Sequence, residues 1–166
     1  PTERLQLLSD MILSKVLKSE LDRAVVTTQL QPNVFYDENF LIYKTIFNFR
    51  ERNIVPDKEF LNMYLTRNPK MVLENKNNVD PSTFGDTGDD VVQSFTVATI
   101  NKLVRLQQED HSNESIQLLL EKFRLDFKTI YTQRVYDTAK LILNDKHQVS
   151  YNKVYSGPDD SKAYID

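Results

Sequence analysis

Apolar residues recur along this chain at intervals of three and four positions, which is the spacing of one face of an α-helix. The first such segment follows Thr2, and its helix is expected to end near Lys18. Its repeating residues are Leu5, Leu8, Ile12 and Val16, with Leu7 and Met11 widening the stripe. Ser19 is a suitable N-cap for a short second helix. The Gln31-Pro32 pair should stop that helix, because a residue before proline avoids the α region.

The third segment is apolar around most of its circumference. Asp37 is predicted to cap a helix from Glu38 to Arg52. Since a helix that is apolar on nearly all sides is surrounded by others, we expect this one to be the central core helix. A platform for stacking bases is the alternative, but only Arg50 and Arg52 interleave with the rings, which favours core packing. The apolar residues are Phe40, Leu41, Ile42, Tyr43, Ile46, Phe47 and Phe49.

A fourth helix is predicted to begin at Pro56 or Asp57 and to end at Asn68-Pro69. Residues 70–76 form a short turn that could be helical. Residues 77–90 hold adjacent asparagines, an Asp-Pro pair, two glycines and several acids, and are predicted to be a loop.

The acids of this loop, Asp80, Asp86, Asp89 and Asp90, raise the question of calcium binding. They lack the alternating ligand positions and the final glutamate of an EF-hand. Helix capping by Asp89 or Asp90 is therefore the favoured interpretation, and a helix reaching Gln108 should follow.

The longest periodic segment runs from about Asn113 to Asn144. A helix of roughly thirty residues is about 45 Å long, which exceeds the width of a small domain. We expect it to project or to pair with another helix. The residues predicted to mediate self-association are Leu119, Phe123, Phe127, Ile130 and Tyr131.

These patterns predict an all-α fold in three parts. Residues 1–108 should form a helical globule, residues 109–155 a long projecting helix with its connector, and residues 156–166 the start of a further helix at Ser156-Gly157-Pro158. Since the chain opens on Pro1 rather than Met, we expect an excised or processed piece of a longer protein.

The net charge and the glycine content argue against two kinds of binding site, one for nucleic acid and one for nucleotide phosphates. The formal net charge is −3, from 21 Lys+Arg against 24 Asp+Glu, which argues against binding nucleic acid by charge alone. Glu121 and Asp126 interrupt the basic residues of the long helix, so a solvated face is favoured over a DNA contact there. Three glycines, at positions 85, 88 and 157, cannot build a phosphate-binding loop.

No constellation of catalytic residues emerges from the sequence. The chain has no cysteine, so thiol catalysis and thiolate metal sites are excluded. His111 and His147 lie in polar connectors without a second histidine at metal-ligand spacing. We therefore expect no active site, no metal and no cofactor in this chain. No apolar run approaches the roughly 20 residues of a membrane span, so no membrane association is expected.

The middle of the chain carries a series of short motifs. They are Pro32-Asn33-Val34-Phe35-Tyr36-Asp37, Ile46-Phe47, and Ile54-Val55-Pro56-Asp57 with the Phe60-Leu61 and Tyr64-Leu65 pairs that follow. In this order and spacing the series resembles the N-terminal domain of DnaB-type replicative DNA helicases. The resemblance implies that the core and turn residues of the family motif are Phe35, Tyr36, Ile46, Phe47 and Asp57. The long helix and the Ser156-Gly157-Pro158 element are most similar to phage members. Phe40, where many members carry histidine, and Pro56 depart from the pattern.

The resemblance implies a compact helical globule whose long C-terminal helix is part of a helical hairpin. It also implies a non-catalytic collar of a hexameric helicase, paired with itself and docking primase or a helicase loader in the bacterial or phage-infected cytoplasm. ATP and Mg²⁺ would belong to a motor domain outside this sequence, and single-stranded DNA would be met only through the full ring. A free-standing adaptor, either a loader or a primase-type helicase-binding domain, is the alternative, and a DNA-binding regulator is a third.

Overall fold

The computed structural model describes residues 2–74 and 88–144. Within these residues the chain forms α-helices and 3₁₀ turns and no strand, which confirms the all-α prediction. Most of the predicted loop, with Asp80 and Asp86, and the whole of 145–166, with His147, lie outside the described residues. The α-helices are α1 Glu3–Lys18, α2 Glu20–Gln29, α3 Asp37–Asn48, α4 Lys58–Arg67, α5 Pro69–Leu73, α6 Gly88–Gln108 and α7 Ile116–Asn144; 3₁₀ turns cover Pro32–Val34 and Arg50–Arg52.

Side-chain caps begin three of these helices where the sequence predicts them. The Thr2 hydroxyl accepts from the Leu5 N–H at 3.2 Å. The Ser19 hydroxyl accepts a bond of the same length from the third residue of α2. Asp57 accepts from the Phe60 N–H at 2.7 Å, and α4 ends before Asn68-Pro69. Each cap satisfies an N–H group that has no partner within its own helix.

The ends of α3 differ from the prediction. Asp37 is the first residue of the helix rather than its cap, and Tyr36 occupies the cap position. Asp37 has φ 54°, a left-handed value that aspartate and asparagine tolerate better than most residues. The helix also ends at Asn48, because the chain tightens into the 3₁₀ turn and then reverses at Asn53, which has φ 51°.

The observed starts of α6 and α7 differ from the predicted ones by a few residues. Helix α6 already begins at Gly88, so Asp89 and Asp90 lie in its first turn rather than at its cap. Helix α7 begins at Ile116, a few residues after Asn113. Both boundaries lie in polar stretches, where hydrophobic spacing gives no position for the first helical residue.

The core is organised around α6, which packs against α1, α3, α4 and α5. Helix α3 is buried as predicted, since Leu41, Ile42, Tyr43 and Ile46 have no exposed surface. The central position, however, belongs to α6 rather than to α3. Two compact units divide the chain, the first reaching Phe123 and the second beginning at Arg124 within α7.

The unusual start of α3 has a consequence for stability. Burial, together with the neighbouring Glu38, raises the pKa of the Asp37 carboxyl. The folded protein therefore holds this proton more tightly than the unfolded chain does. As the pH rises through the pKa of Asp37 in the folded state, the folded state loses stability relative to the unfolded state, and above that pH the penalty is complete.

We expect Asp37→Asn to raise the free energy of unfolding at pH 7 by a small amount, on the order of 0.5 kcal/mol. Asparagine removes the charge of this partly buried side chain and still tolerates the left-handed backbone. Urea titrations at several pH values should show the advantage shrinking as the pH falls below the raised pKa. Asp37→Ala is the matched control, because it removes the same charge but is less suited to φ 54°. An advantage that does not change with pH would contradict this account.

Candidate interaction surface on the last helix

The first two turns of α7 belong to the core of the first unit. Ile116, Leu119, Leu120 and Phe123 are all buried. The Phe123 ring lies 5.5 Å, centre to centre, from the ring of Phe35. Two of the five residues predicted to mediate self-association, Leu119 and Phe123, are therefore core residues and offer no exposed surface.

The other three predicted residues lie in the second unit. Phe127, Ile130 and Tyr131 follow one another at the spacing of a helix face, and each is partly exposed. Val135, also partly exposed, extends this face by one turn. We call these four residues the inner face of α7. In the sequence, these residues follow Leu119 and Phe123 at the same helical spacing.

A second apolar face on α7 was missed by the sequence analysis. Leu125 is 60% exposed and Tyr136 is 61% exposed. Thr129 and Thr132 stand between them and are also exposed. We call these four residues the outer face. Their spacing of four, three and four residues can be read from the sequence. It was not recognised because the inner face is more strongly apolar and because the two central threonines are polar.

The charges of the second unit are mixed in sign. Arg124, Lys128 and Arg134 are exposed, and Asp126 and Asp137 lie on the same stretch of the helix. The Gln133 side chain donates to the Asp137 carboxylate at 2.9 Å, one turn further on. Lys122, a further basic residue of α7, is exposed in the first unit. This mixture of acidic and basic side chains is typical of a solvated helix rather than of a surface that follows a phosphate backbone.

The residues that carry the helicase resemblance have structural roles. Phe35 and Ile46 are buried, Tyr36 is partly buried, and Asp57 caps α4. Phe47 is partly exposed, and the guanidinium carbon of Arg50 lies 3.9 Å from the centre of its ring, a cation–π arrangement.

The aromatic side chains of this region contact one another. The Tyr43 ring lies between those of Phe35 and Phe47, at 4.7 Å and 6.0 Å. The Phe49 ring meets Phe60 edge-on, with 5.4 Å between the ring centres. Such ring-to-ring contacts are those of a packed interior, which favours core packing over base stacking.

Two buried polar side chains hold helix ends in place. The Arg23 guanidinium donates to the carbonyls of Val16 at 3.0 Å and Leu17 at 3.4 Å, and to the Asn53 side chain at 2.6 Å. Burial lowers the pKa of Arg23. The Tyr43 hydroxyl donates to the Leu30 carbonyl at 2.7 Å, and burial raises its pKa. These groups satisfy carbonyls at the ends of α1 and α2, so their roles are structural.

The connector between α6 and α7 holds His111 between two acids. Its ring nitrogens lie 3.3 Å from a Glu109 oxygen and 3.2 Å from a Glu114 oxygen. In the same connector, hydrogen bonds from Ser112 lower the pKa of the exposed Asp110. Across residues 2–74 and 88–144, no group of three or more His, Asp or Glu side chains is arranged to hold a metal ion.

A groove of about 380 Å³ lies between α4, α5 and α6. None of its described lining residues is charged, so it offers only amide, hydroxyl and apolar groups to a ligand. The Thr96 hydroxyl beneath it is buried and has no hydrogen-bond partner. The described lining consists of Asn62, Thr66, Pro69, Val92, Gln93, Thr96 and Val97.

Comparison with known proteins gives no relative. No family model, no curated protein and no solved structure matches the chain significantly. Within the described part of the chain, none of the helices combines the length and the apolar character that crossing a membrane would require. What the surface on α7 can bind must therefore be inferred from the exposure and chemistry of its own residues.

Proposed function

We propose that this chain is a non-catalytic assembly domain that self-associates through α7, in the manner of the N-terminal collar of DnaB-type replicative helicases. In this proposal it organises a helicase ring and docks primase or a helicase loader in the bacterial or phage-infected cytoplasm. ATP hydrolysis, Mg²⁺ and the contact with single-stranded DNA are assigned to the ring and its motor domain.

The observation that carries the proposal is the continuation of α7 into a unit of its own. The helix extends from Phe123 to Asn144, about 21 further residues or roughly 31 Å. In proteins, most of the stability of a helix comes from packing of its apolar face against another element. Apolar side chains with exposed surface stand on both the inner and the outer face of this stretch. Pairing with another helix would cover them.

The mixed charges of the second unit favour this proposal over a DNA-binding regulator. A regulator that grips the phosphate backbone needs a basic stripe, and here acids interrupt the basic side chains. A free-standing adaptor would use the same apolar surface to bind a different protein. The oligomeric state of the isolated chain distinguishes the two, since only the collar proposal requires self-association.

We expect the wild-type chain to form concentration-dependent oligomers, and Ile130→Asp to shift them to smaller species without loss of helical content. A carboxylate placed in a covered apolar interface is costly to bury without a partner. Light scattering coupled to gel filtration, over at least a hundredfold range of concentration, measures the shift, and circular dichroism follows the helical content.

Gln117→Asp is the matched control. It places the same carboxylate on the same helix at an exposed position that belongs to neither face of the second unit. We expect its oligomeric state to match that of the wild type. A wild-type chain that stays monomeric throughout would refute the collar proposal and support the adaptor.

A further inference from the structure

The connector between α6 and α7 places a histidine between two carboxylates. The Nε2 atom of His111 lies 3.3 Å from a Glu109 oxygen, and its Nδ1 atom lies 3.2 Å from a Glu114 oxygen. The His111 side chain is 19% exposed, against 34% for Glu109 and 43% for Glu114. Both ring nitrogens therefore face a group that, when ionised, accepts hydrogen bonds and donates none.

The protonated form of the ring suits both carboxylates at once. A neutral imidazole carries one N–H and one bare nitrogen, whereas a protonated imidazole donates from both nitrogens. In the neutral form, one of the two nitrogens would turn its lone pair toward a carboxylate, and that contact would be repulsive. The arrangement in this structure is therefore that of a positively charged His111 between two ionised glutamates.

The two sides of the ring are not held equally. The contact between Nε2 and Glu109 has the geometry of a hydrogen bond. On the same side, the Ser14 hydroxyl of α1 donates to the Glu109 carbonyl at 3.4 Å, which ties this part of the backbone to α1. Glu114 is the more exposed of the two acids and lies two residues before α7 begins. The Glu114 contact is therefore the one that can open more easily.

Further charged residues from α1 and α2 lie around the connector. The Lys15 ammonium group donates to the His111 carbonyl at 3.0 Å and pairs with Asp22 at 3.6 Å. Asp110 is exposed, and Lys18 is one of the charges that act on it. Lysine and aspartate ordinarily keep their charge between pH 5 and 8, so histidine is the residue type here whose charge changes in that range.

We propose that Glu109, His111 and Glu114 form a pH-dependent latch ahead of α7. With His111 protonated, the ring bridges the two glutamates. Once the ring is neutral, its remaining N–H stays on Nε2 with Glu109, and the contact with Glu114 opens. The residues just before α7 are then held less firmly. The latch lies within the first unit, so this inference does not depend on self-association.

The sign of the pH effect follows from the charge of the ring. The Glu114 contact stabilises the folded state at mildly acidic pH, where His111 is charged and glutamates are ordinarily still ionised. That stabilisation is lost as the pH rises and the ring gives up its proton in the folded state.

Paired substitutions of the two glutamates test the latch. Glu114→Gln and Glu109→Gln each remove one negative charge and keep nearly the same side-chain shape. Urea unfolding at about pH 5.5 and about pH 8, at one protein concentration, gives the unfolding equilibrium constant of each variant relative to the wild type. The titration of groups elsewhere in the chain, Asp37 among them, cancels in this ratio.

We expect the ratio for Glu114→Gln to be about twofold to fivefold higher at pH 5.5 than at pH 8, the range of a partly exposed ion pair. The ratio for Glu109→Gln should differ by less than about 1.5-fold between the two pH values, because Nε2 donates to this side chain in both states. In a His111→Gln background the effect of Glu114→Gln should be the same at both pH values, because no ring remains to titrate.

A pH-dependent loss that appears with Glu114→Gln, and disappears without His111, supports the latch. If the Glu114→Gln ratio is the same at both pH values, or changes equally in the His111→Gln background, the latch is wrong. If the change appears with Glu109→Gln instead, the ring releases the other carboxylate, and the proposed opening next to α7 is refuted.

Discussion

Phe123→Ala is expected to lower the free energy of unfolding by about 3–5 kcal/mol, the loss that follows truncation of a large aromatic side chain in a packed interior. Phe123 is 1% exposed, and its ring packs against Phe35, which in turn contacts Tyr43. The substitution leaves a cavity in the core of the first unit, beside the ring of Phe35. Urea unfolding followed by circular dichroism measures the loss.

Phe127→Ala is the control that makes this result specific. It is the same change one turn later on the same helix, at a residue that is partly exposed and belongs to the second unit. We expect it to cost less than half as much stability and to act mainly on self-association. Equal losses for the two variants would mean that the first unit does not end at Phe123.

The contrast between Phe123 and Phe127 shows what hydrophobic spacing along α7 can and cannot predict. The spacing correctly places Leu119, Phe123, Phe127, Ile130 and Tyr131 along one stripe of a helix. It does not show what covers that stripe, because burial depends on elements far away in the sequence. Phe35 contacts Phe123 although 87 positions lie between them. The same apolar pattern is therefore buried in the core over the first two turns of α7 and is partly exposed in the turns that follow.

Local signals account for the helices that were predicted well. Ser19 was predicted as a cap, and Thr2 and Asp57 as residues at helix starts; each accepts a hydrogen bond from an N–H group three residues away, so the signal is local. The end of α3 was misplaced because the apolar run continues through Phe49 while the backbone has already left the helix. Asn53, which adopts the left-handed conformation that asparagine tolerates, was the available signal for that reversal.

The buried ionic network on α1 had no signal in the sequence. Asp10 bonds to Lys102 at 2.8 Å, to Arg105 at 3.2 Å and to Asn39 at 2.8 Å, so it joins α1 to α3 and α6. These partners lie 29 to 95 residues away along the chain. Helical spacing shows only a polar residue within an apolar segment and gives no indication of what it pairs with.

Asp10→Ala is expected to lower the free energy of unfolding by about 3–5 kcal/mol, because it leaves a buried cation without its counter-charge. The Lys102 side chain is only 11% exposed, and Asn39 is 1% exposed and loses the acceptor of its amide. Both groups lie where α6 packs against α1 and α3. Thermal and urea unfolding at neutral pH measure the loss.

Two variants separate the charge effect from a loss of packing. Arg105→Ala removes the other cation of the network, whose side chain is 58% exposed, and should cost less than about 1 kcal/mol because water already screens that pair. The double variant Asp10→Leu/Lys102→Met replaces the buried pair by apolar side chains and should recover at least half of the loss, since a well-packed apolar pair is often as stable as a buried ion pair.

If Asp10→Ala costs no more than Arg105→Ala, the network does not hold α6 in place. If the double variant is as unstable as the single one, the loss comes from shape and from the amide of Asn39 rather than from the unpaired ammonium group.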